Sequence, residues 1–312
     1  MKSALVLGGT SFFGVNLVNR LLERGVAVSV ATRSLRPADF HAEVTRLQVD
    51  RRSPESLKSL AASGTWDVLY DQIGFSGLDA QNLLDAFEGR VGKLVYTSSV
   101  SVYEAGRNIE EQAFKPEERQ LNIARAANYE DGKRDAEAVY AHNGGLPFVV
   151  GRPAVVIGSQ DARSKQHIQS ILSGRPIWIE NREAEFSLVT REDAGVQLAD
   201  LGLSSALGAY NIAAPEPLKM PQFMEQIADE LGARINYADA YSRACFVSPY
   251  SRSFHTSVSS AKAAELGLVA QELQDALPRI VQEIKCELGL VKSREVKCAS
   301  IEQERGTRGI EL

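Results

Sequence analysis

No apolar run in this chain approaches the ~20 residues that a bilayer-spanning helix needs, so no membrane segment is expected. Cysteine is scarce: three in 312 residues (Cys245, Cys286, Cys298), without a C-x-x-C pair or a neighbouring histidine set. They read as free thiols of a reducing compartment rather than as a disulfide framework or a zinc site. The four histidines (His41, His142, His167, His255) are scattered, so no metal centre is expected. Charge is not concentrated either: the formal net charge is −5 and no Lys/Arg block exceeds two residues. Nucleic-acid binding needs clustered cations to neutralise phosphates, so nucleic acid is not an expected partner. The chain opens directly into a strand pattern without the regions of a signal peptide, and the expected location is the cytoplasm. Internal repeats and low-complexity tracts are absent. At 44% hydrophobic residues, the chain can bury a large core, in one large domain or one and a half.

What is present begins with a glycine-rich turn. Residues 2–7 read as a buried strand, followed at once by Gly8, Gly9, Thr10, Ser11, Phe12, Phe13 and Gly14. A helix over 13–24 carries Val15, Val18, Leu21 and Leu22 on one face, Gly25 ends it, and 26–31 form a second strand. Strand, glycine turn, helix, strand is the context of a dinucleotide site. Gly8 and Gly9 permit the tight turn and the approach of backbone amides to a pyrophosphate. Gly14 lets helix and strand pack closely, and the helix N-terminus offers N–H groups and a positive dipole end. Ser11 stands where many such turns carry their middle glycine, so φ there is expected to stay negative. The second strand ends Ala31-Thr32-Arg33-Ser34 without the acid that would hold a ribose 2′-hydroxyl. Arg33, with Arg36 close behind, can offer donors to a 2′-phosphate. NADP(H) is therefore the expected cofactor, with NAD(H) the alternative.

Alternation continues, with strands at 44–49, 66–70 and 93–97 and helices at 54–62 and 78–88. This predicts an α/β fold with a doubly wound parallel sheet. Ligands of such sheets lie beyond the strands' carboxyl ends. That rim holds Asp50, placed to reach an adenine, then Gln72, Ile73 and Gly74 under a nicotinamide ribose, and Thr97, Ser98 and Ser99. Downstream, Tyr129 and Lys133 are four apart and share a helix face. A nearby ammonium favours the phenolate, so Tyr129 is expected to exchange protons nearer neutral pH. Lys133 would also bind ribose hydroxyls, and Ser99 would orient the substrate oxygen.

The segments 8–14 and 95–103, Tyr129-x-x-x-Lys133 and Gly151-Arg152-Pro153 resemble the short-chain dehydrogenase/reductase superfamily. More narrowly, they resemble its extended or atypical branch, the NAD-dependent epimerase/dehydratases, over about residues 1–290. The resemblance implies a catalytic triad of Ser99, Tyr129 and Lys133, with Arg152 and Pro153 on the cofactor side. It also implies a small C-terminal substrate domain. Two departures narrow the reaction. Sugar dehydratases of this family carry an Asp-Glu pair after the catalytic Ser/Thr, and here Val100 and Ser101 stand there. Elimination is therefore not expected. Nucleotide-sugar enzymes carry an Arg before the segment 186–189, where this chain has Ala184 and Glu185, with Arg182 only nearby. The expected activity is NADPH-dependent reduction of a small carbonyl compound, with Tyr129 as the proton carrier. An NAD-dependent sugar 4-epimerase is the alternative. A non-catalytic cofactor-sensing or RNA-binding relative is the alternative of another class.

The expected division is a dinucleotide-binding domain at 1–155 and a mainly substrate-binding subdomain at 156–290. Within the latter, about 190–214 would return to the sheet, and 291–312, charged and aperiodic, would form a mobile tail. Strands are expected at 146–151, 177–180, 186–188 and 209–212, and helices at 164–173, from Arg191, at 220–231 and at 271–288. Substrate contacts are assigned to Ser99, Ser101, Tyr103 and Trp178. Arg163, Tyr241, Tyr250 and Arg252 lie in the same stretches and could clamp an anionic or planar substrate. A homodimer is the family habit.

Overall fold

A computed structural model of the chain describes residues 1–35 and 38–291. Arg36 and the expected tail from residue 292 onward lie outside the described residues.

The main sheet has seven parallel strands: β1 (Ser3–Leu7), β2 (Ala27–Thr32), β3 (Thr45–Gln48), β4 (Trp66–Asp71), β5 (Val91–Thr97), β6 (Phe148–Pro153) and β7 (Gly208–Ile212). Their spatial order is β7-β6-β5-β4-β1-β2-β3, a doubly wound sheet. Its central strands are apolar on both faces because helices cover both. One layer pairs the sheet with α1 (Phe13–Glu23) and α6 (Arg191–Leu203) through Val6, Leu17, Leu21, Leu198 and Leu201. The other pairs it with α2 (Pro54–Ala62), α3 (Gly77–Phe87) and α4 (Tyr129–His142) through Leu5, Leu57, Leu83, Phe87 and Tyr96.

Strand order reverses between β1 and β4, so their carboxyl ends diverge and open a crevice. Gly8 follows β1 and Gln72 follows β4, which puts both at its floor.

A third core builds the small lobe. It joins α5 (Ala162–Leu172), α7 (Met220–Leu231) and the helix Leu273–Glu287 through Ile168, Ile171, Phe223, Ile227, Leu277 and Ile280. Short strands Leu218–Lys219, Glu185–Phe186, Thr256–Val258 and Gly106–Ile109 pair into a second sheet beside it. Val155–Ile157 pairs in parallel with Leu188–Thr190. The strands at 106–109 and 256–258 are not anticipated by the sequence, because pieces this short and polar carry no two-residue period. No helix among the described residues is long and apolar enough to cross a membrane.

Candidate active site

A cleft of about 1540 Å³ runs from the glycine turn to the small lobe. Gly8 and Gly9 take φ of +97° and +81°, a region that costs side-chain-bearing residues energy. A Cβ at Gly9 would also stand 2.8 Å from Val6 Cγ1, and one at Gly14 2.9 Å from the Gly9 Cα. Ser11 is not among the positive-φ residues; Phe12 is, at φ 51°, immediately before α1. The first turn of α1 has neither a side-chain cap nor an acid, whereas α2 to α6 are capped by Ser53, Ser76, Asn128, Asp161 and Thr190. The Gly14 and Val15 N–H groups turn back onto the Ser11 and Phe12 carbonyls at 3.0 and 3.2 Å, so what the start of α1 offers the cleft is the positive end of its dipole without a side-chain cap or acid, which favours an anion.

All seven residues of the turn line the cleft, as do Arg33, Asp50, Gln72, Ile73, Thr97, Ser98 and Pro153. Among the described residues, Gln72 Nε2 and the Ser101 hydroxyl are buried on this wall without a hydrogen-bond partner. Buried polar atoms left open are costly unless a ligand or water meets them. Positive-φ glycines, an uncapped helix and open donors fit a dinucleotide.

Three expected contacts are corrected by the geometry: Arg152, Gly74 and Trp178. Neighbouring side chains along a strand point to opposite faces, so Pro153 faces the cleft while Arg152 is fully buried behind it. There Arg152 Nη2 lies 2.6 Å from Glu137 Oε2, and Nη1 donates to the Tyr103 hydroxyl at 2.8 Å. Ser98 also donates to Glu137, so its hydroxyl is committed although the residue lines the cleft. Gly74 is likewise behind the wall, its carbonyl accepting from Lys133 Nζ at 2.9 Å and from the Tyr96 hydroxyl at 3.1 Å. Trp178 lies in the strand Ile177–Trp178, edge-on to Tyr241 at 5.2 Å, and lines no part of the cleft. Tyr103 lines it, but its hydroxyl is taken up by Asn211 Oδ1 at 2.7 Å as well as by Arg152.

The structure brings Ser99, Tyr129 and Lys133 together. Ser99 caps the 3₁₀ turn Val100–Val102, its Oγ accepting the Ser101 N–H at 3.1 Å. With Oγ engaged as an acceptor, the hydroxyl proton is free to point at the Tyr129 oxygen or a substrate. Asn128 caps α4, which makes Tyr129 its first residue and sets the ring at the cleft mouth, 47% exposed. Lys133, one turn on, is 2% exposed; its ammonium donates to Gly74 and, at 2.7 Å, to the Thr97 carbonyl. Those two bonds leave one of its three N–H donors.

The electrostatics differ from the sequence expectation. Burial pushes Lys133 down to about 8, against the pull of Asp71 and Glu137. Its ammonium lies 5.7 Å from the centre of the Tyr129 ring, over the π-face. Burial around the Tyr129 hydroxyl raises the phenol above its ordinary value, and a hydrogen bond with Ser99 and the charge of Arg163 only partly oppose it.

Sequence reasoning misses Arg51. It is 4% exposed, lines the cleft and pairs through Nη2 with Asp71, which also accepts from Tyr140 at 3.0 Å. Its Nε and Nη1 have no hydrogen-bond partner among the described residues. The usable signal is Asp71 itself, an acid that follows directly on the run Val68-Leu69-Tyr70.

Comparisons with known proteins agree with this geometry. Over 219 residues, 64% of this chain, the sequence is 25% identical to the chloroplast stem-loop binding protein of 41 kDa b of Arabidopsis thaliana. The chain matches about half of that protein's length, 52%. Solved structures with a similar fold include the UDP-glucose 4-epimerase of Thermus thermophilus in complex with NAD, at 19% identity and TM-score 0.67, covering 91% of this chain and 99% of that one. Another is the dTDP-glucose 4,6-dehydratase of Bacillus anthracis str. Ames in complex with NAD, at 17% identity and TM-score 0.69, covering 91% and 97%. The model of the NAD dependent epimerase/dehydratase family matches residues 4–181. A sheet ordered around an uncapped glycine turn, a Ser-Tyr-Lys set at its rim and this match together make the chain a member of the NAD dependent epimerase/dehydratase family.

Proposed function

We propose that the protein is an NADPH-dependent reductase of a small carbonyl compound, with Tyr129 as the proton donor. The observation that carries this reading is the shared wall: Ser99, Tyr129 and Lys133 line one cleft with the glycine turn and the acid-free end of β2. Tyr129, whose phenol burial raises above its ordinary value, lines that wall with the Ser99 hydroxyl and is the proton donor in this reading. In this reading the glycine turn, the start of α1 and Lys133 hold the dinucleotide, which supplies the hydride when bound. Ser99 hydrogen-bonds the substrate oxygen, and Tyr129 delivers its proton to that oxygen as negative charge builds there. Lys133 uses its remaining N–H on a ribose hydroxyl. Support for the 2′-phosphate comes from Thr32, Arg33 and Ser34, which line the cleft at the end of β2 without an acid among them. Val100 and Ser101 supply no carboxylate for an elimination.

Replacing Tyr129 by Phe removes the acid and leaves the ring, so turnover should fall about 10²- to 10⁴-fold while NADPH still binds. A Tyr129→Phe protein at full turnover overturns the assignment. Nucleotide released from the purified protein on denaturation decides between reductase and epimerase: tightly retained NAD would point to a closed redox cycle on a sugar.

A second reading, RNA binding, is favoured by the stem-loop binding relative. The net charge of −5 and the intact Ser-Tyr-Lys set weigh against it. Failure to shift a stem-loop RNA in low salt would remove it.

A further inference from the structure

We propose that Arg163 selects the substrate by holding a carboxylate on the carbonyl compound, an inference that rests on the reductase reading. Arg163 is the second residue of α5 and lines the small-lobe wall of the cleft that contains Tyr129. Its Nε donates to Asp161 Oδ1 at 3.0 Å and its Nη2 to the Val156 carbonyl at 3.3 Å. The guanidinium lies 5.1 Å from the centre of the Tyr250 ring. Tyr250 is itself buried: its hydroxyl donates to Asp161 Oδ2, and its ring stacks on His167 at 4.7 Å and 27°. His167 is locked in turn by Ser248 Oγ, 2.7 Å from Nε2, and by the Arg163 carbonyl, 2.7 Å from Nδ1.

The Arg163 side chain is 45% exposed and yet held by these contacts. Here the plane of the guanidinium is set before any ligand arrives, so little side-chain entropy remains to be lost on binding. Two of its five N–H donors are committed to Asp161 and Val156. The end-on pair formed by Nη1 and Nη2 is the fork that matches two carboxylate oxygens. Asp161 is itself fixed: Oδ1 accepts from Arg163 while Oδ2 accepts from Tyr250 and from both the N–H and O–H of Ser164.

The wall around Arg163 has the same preference. From Pro153 to Val258 the described lining residues include Arg163 and Arg252 but no Asp or Glu, with Val155, Val156 and Phe254 between them. A compound with an apolar body and a carboxylate head suits that surface. Arg163 and Tyr129 line the same cleft, so the anchored carboxylate and the reacting carbonyl would belong to one molecule.

The test uses the full chain saturated with NADPH. Oxalate binding is measured by calorimetry, and NADPH oxidation is followed with 2-oxo acids and their neutral amides. Wild type should bind oxalate and reduce the acids with kcat/KM about 10- to 100-fold above the amides, the range of a charged hydrogen-bonded contact. Arg163→Gln should lose that preference through KM and lose the oxalate heat; Arg163→Lys should restore part of both. NADPH binding by each variant shows that the fold is intact. Oxalate that fails to bind wild type, or binds Arg163→Gln equally well, overturns the proposal. So does equal reduction of acids and amides. A panel in which nothing is reduced refutes the reductase reading, and the oxalate arm then still judges Arg163.

Discussion

Two buried polar clusters flank the cleft, and they are built on opposite rules. On the sheet side, Arg152 of β6 and Glu137 of α4 are both fully buried and joined by Nε and Nη2 contacts of 2.6–3.2 Å. Burial works to lower the Arg152 guanidinium's pKa, but Glu137 and the Tyr103 hydroxyl reverse it, and the cation is held more firmly than in water. On the small-lobe side the central group is a neutral imidazole. Burial pushes His167 down to about 4, in a cage of Tyr250, Phe223 and Phe246. The sheet half buries charge in a closed pair, whereas the small lobe buries a group that must stay uncharged. The small lobe is therefore sensitive to mild acid through His167.

Breaking the pair is the harshest test of that contrast. Glu137→Gln leaves Arg152 buried without its carboxylate and should cost about 3–5 kcal/mol, read as a lower urea midpoint at pH 7. A cost too small to measure would mean that the sheet half does not depend on the pair.

The small lobe is tested by acid. His167 has a folded value below its unfolded one, so its contribution is fully present above pH 6.5 and is lost as pH falls towards 4. At about 1.4 kcal/mol per pH unit, that loss amounts to roughly 3 kcal/mol. His167→Gln should be weaker at pH 7.5 but show a flatter decline between pH 6.5 and 4. Parallel declines for the two proteins would refute the assignment.

The smallest expected effect is at the surface of the cleft. Arg33→Ser removes an exposed cation and should leave stability within about 0.5 kcal/mol. It should lower the NADPH-to-NADH affinity ratio about tenfold, near the value of one exposed charged contact. An unchanged ratio would remove Arg33 from the 2′-phosphate.

The parts legible in the sequence share one property: their signal is local. The apolar runs of β1, β2 and β4, the glycines that only a turn requires and the four-residue step from Tyr129 to Lys133 can be read without knowing what packs where. The expected helix from Phe13 begins there, and Tyr129 opens α4 because Asn128 caps it. Arg152 is misplaced by a strand expected to stop at 151. That strand runs on to Pro153, and one residue of alternation turns Arg152 away from the ligand. In the small lobe the helices and the short strands near 177 and 186 are legible, but not their partners: Ile177–Trp178 pairs with Phe246–Val247, a distant two-residue piece that no local pattern announces.

Period, turn chemistry and helical step act over a few residues, so the order of amino acids alone dictates the sheet, the glycine turn and the spacing of Ser99, Tyr129 and Lys133. The protonation of that set and the mounting of Arg163 arise only in the folded chain. The sequence expectation has Tyr129 acidified by Lys133, whereas burial raises it; Arg163 is fixed by Tyr250, 87 positions away in the chain. Desolvation and stacking depend on which surfaces meet, and that is set only when the lobes close around the cleft.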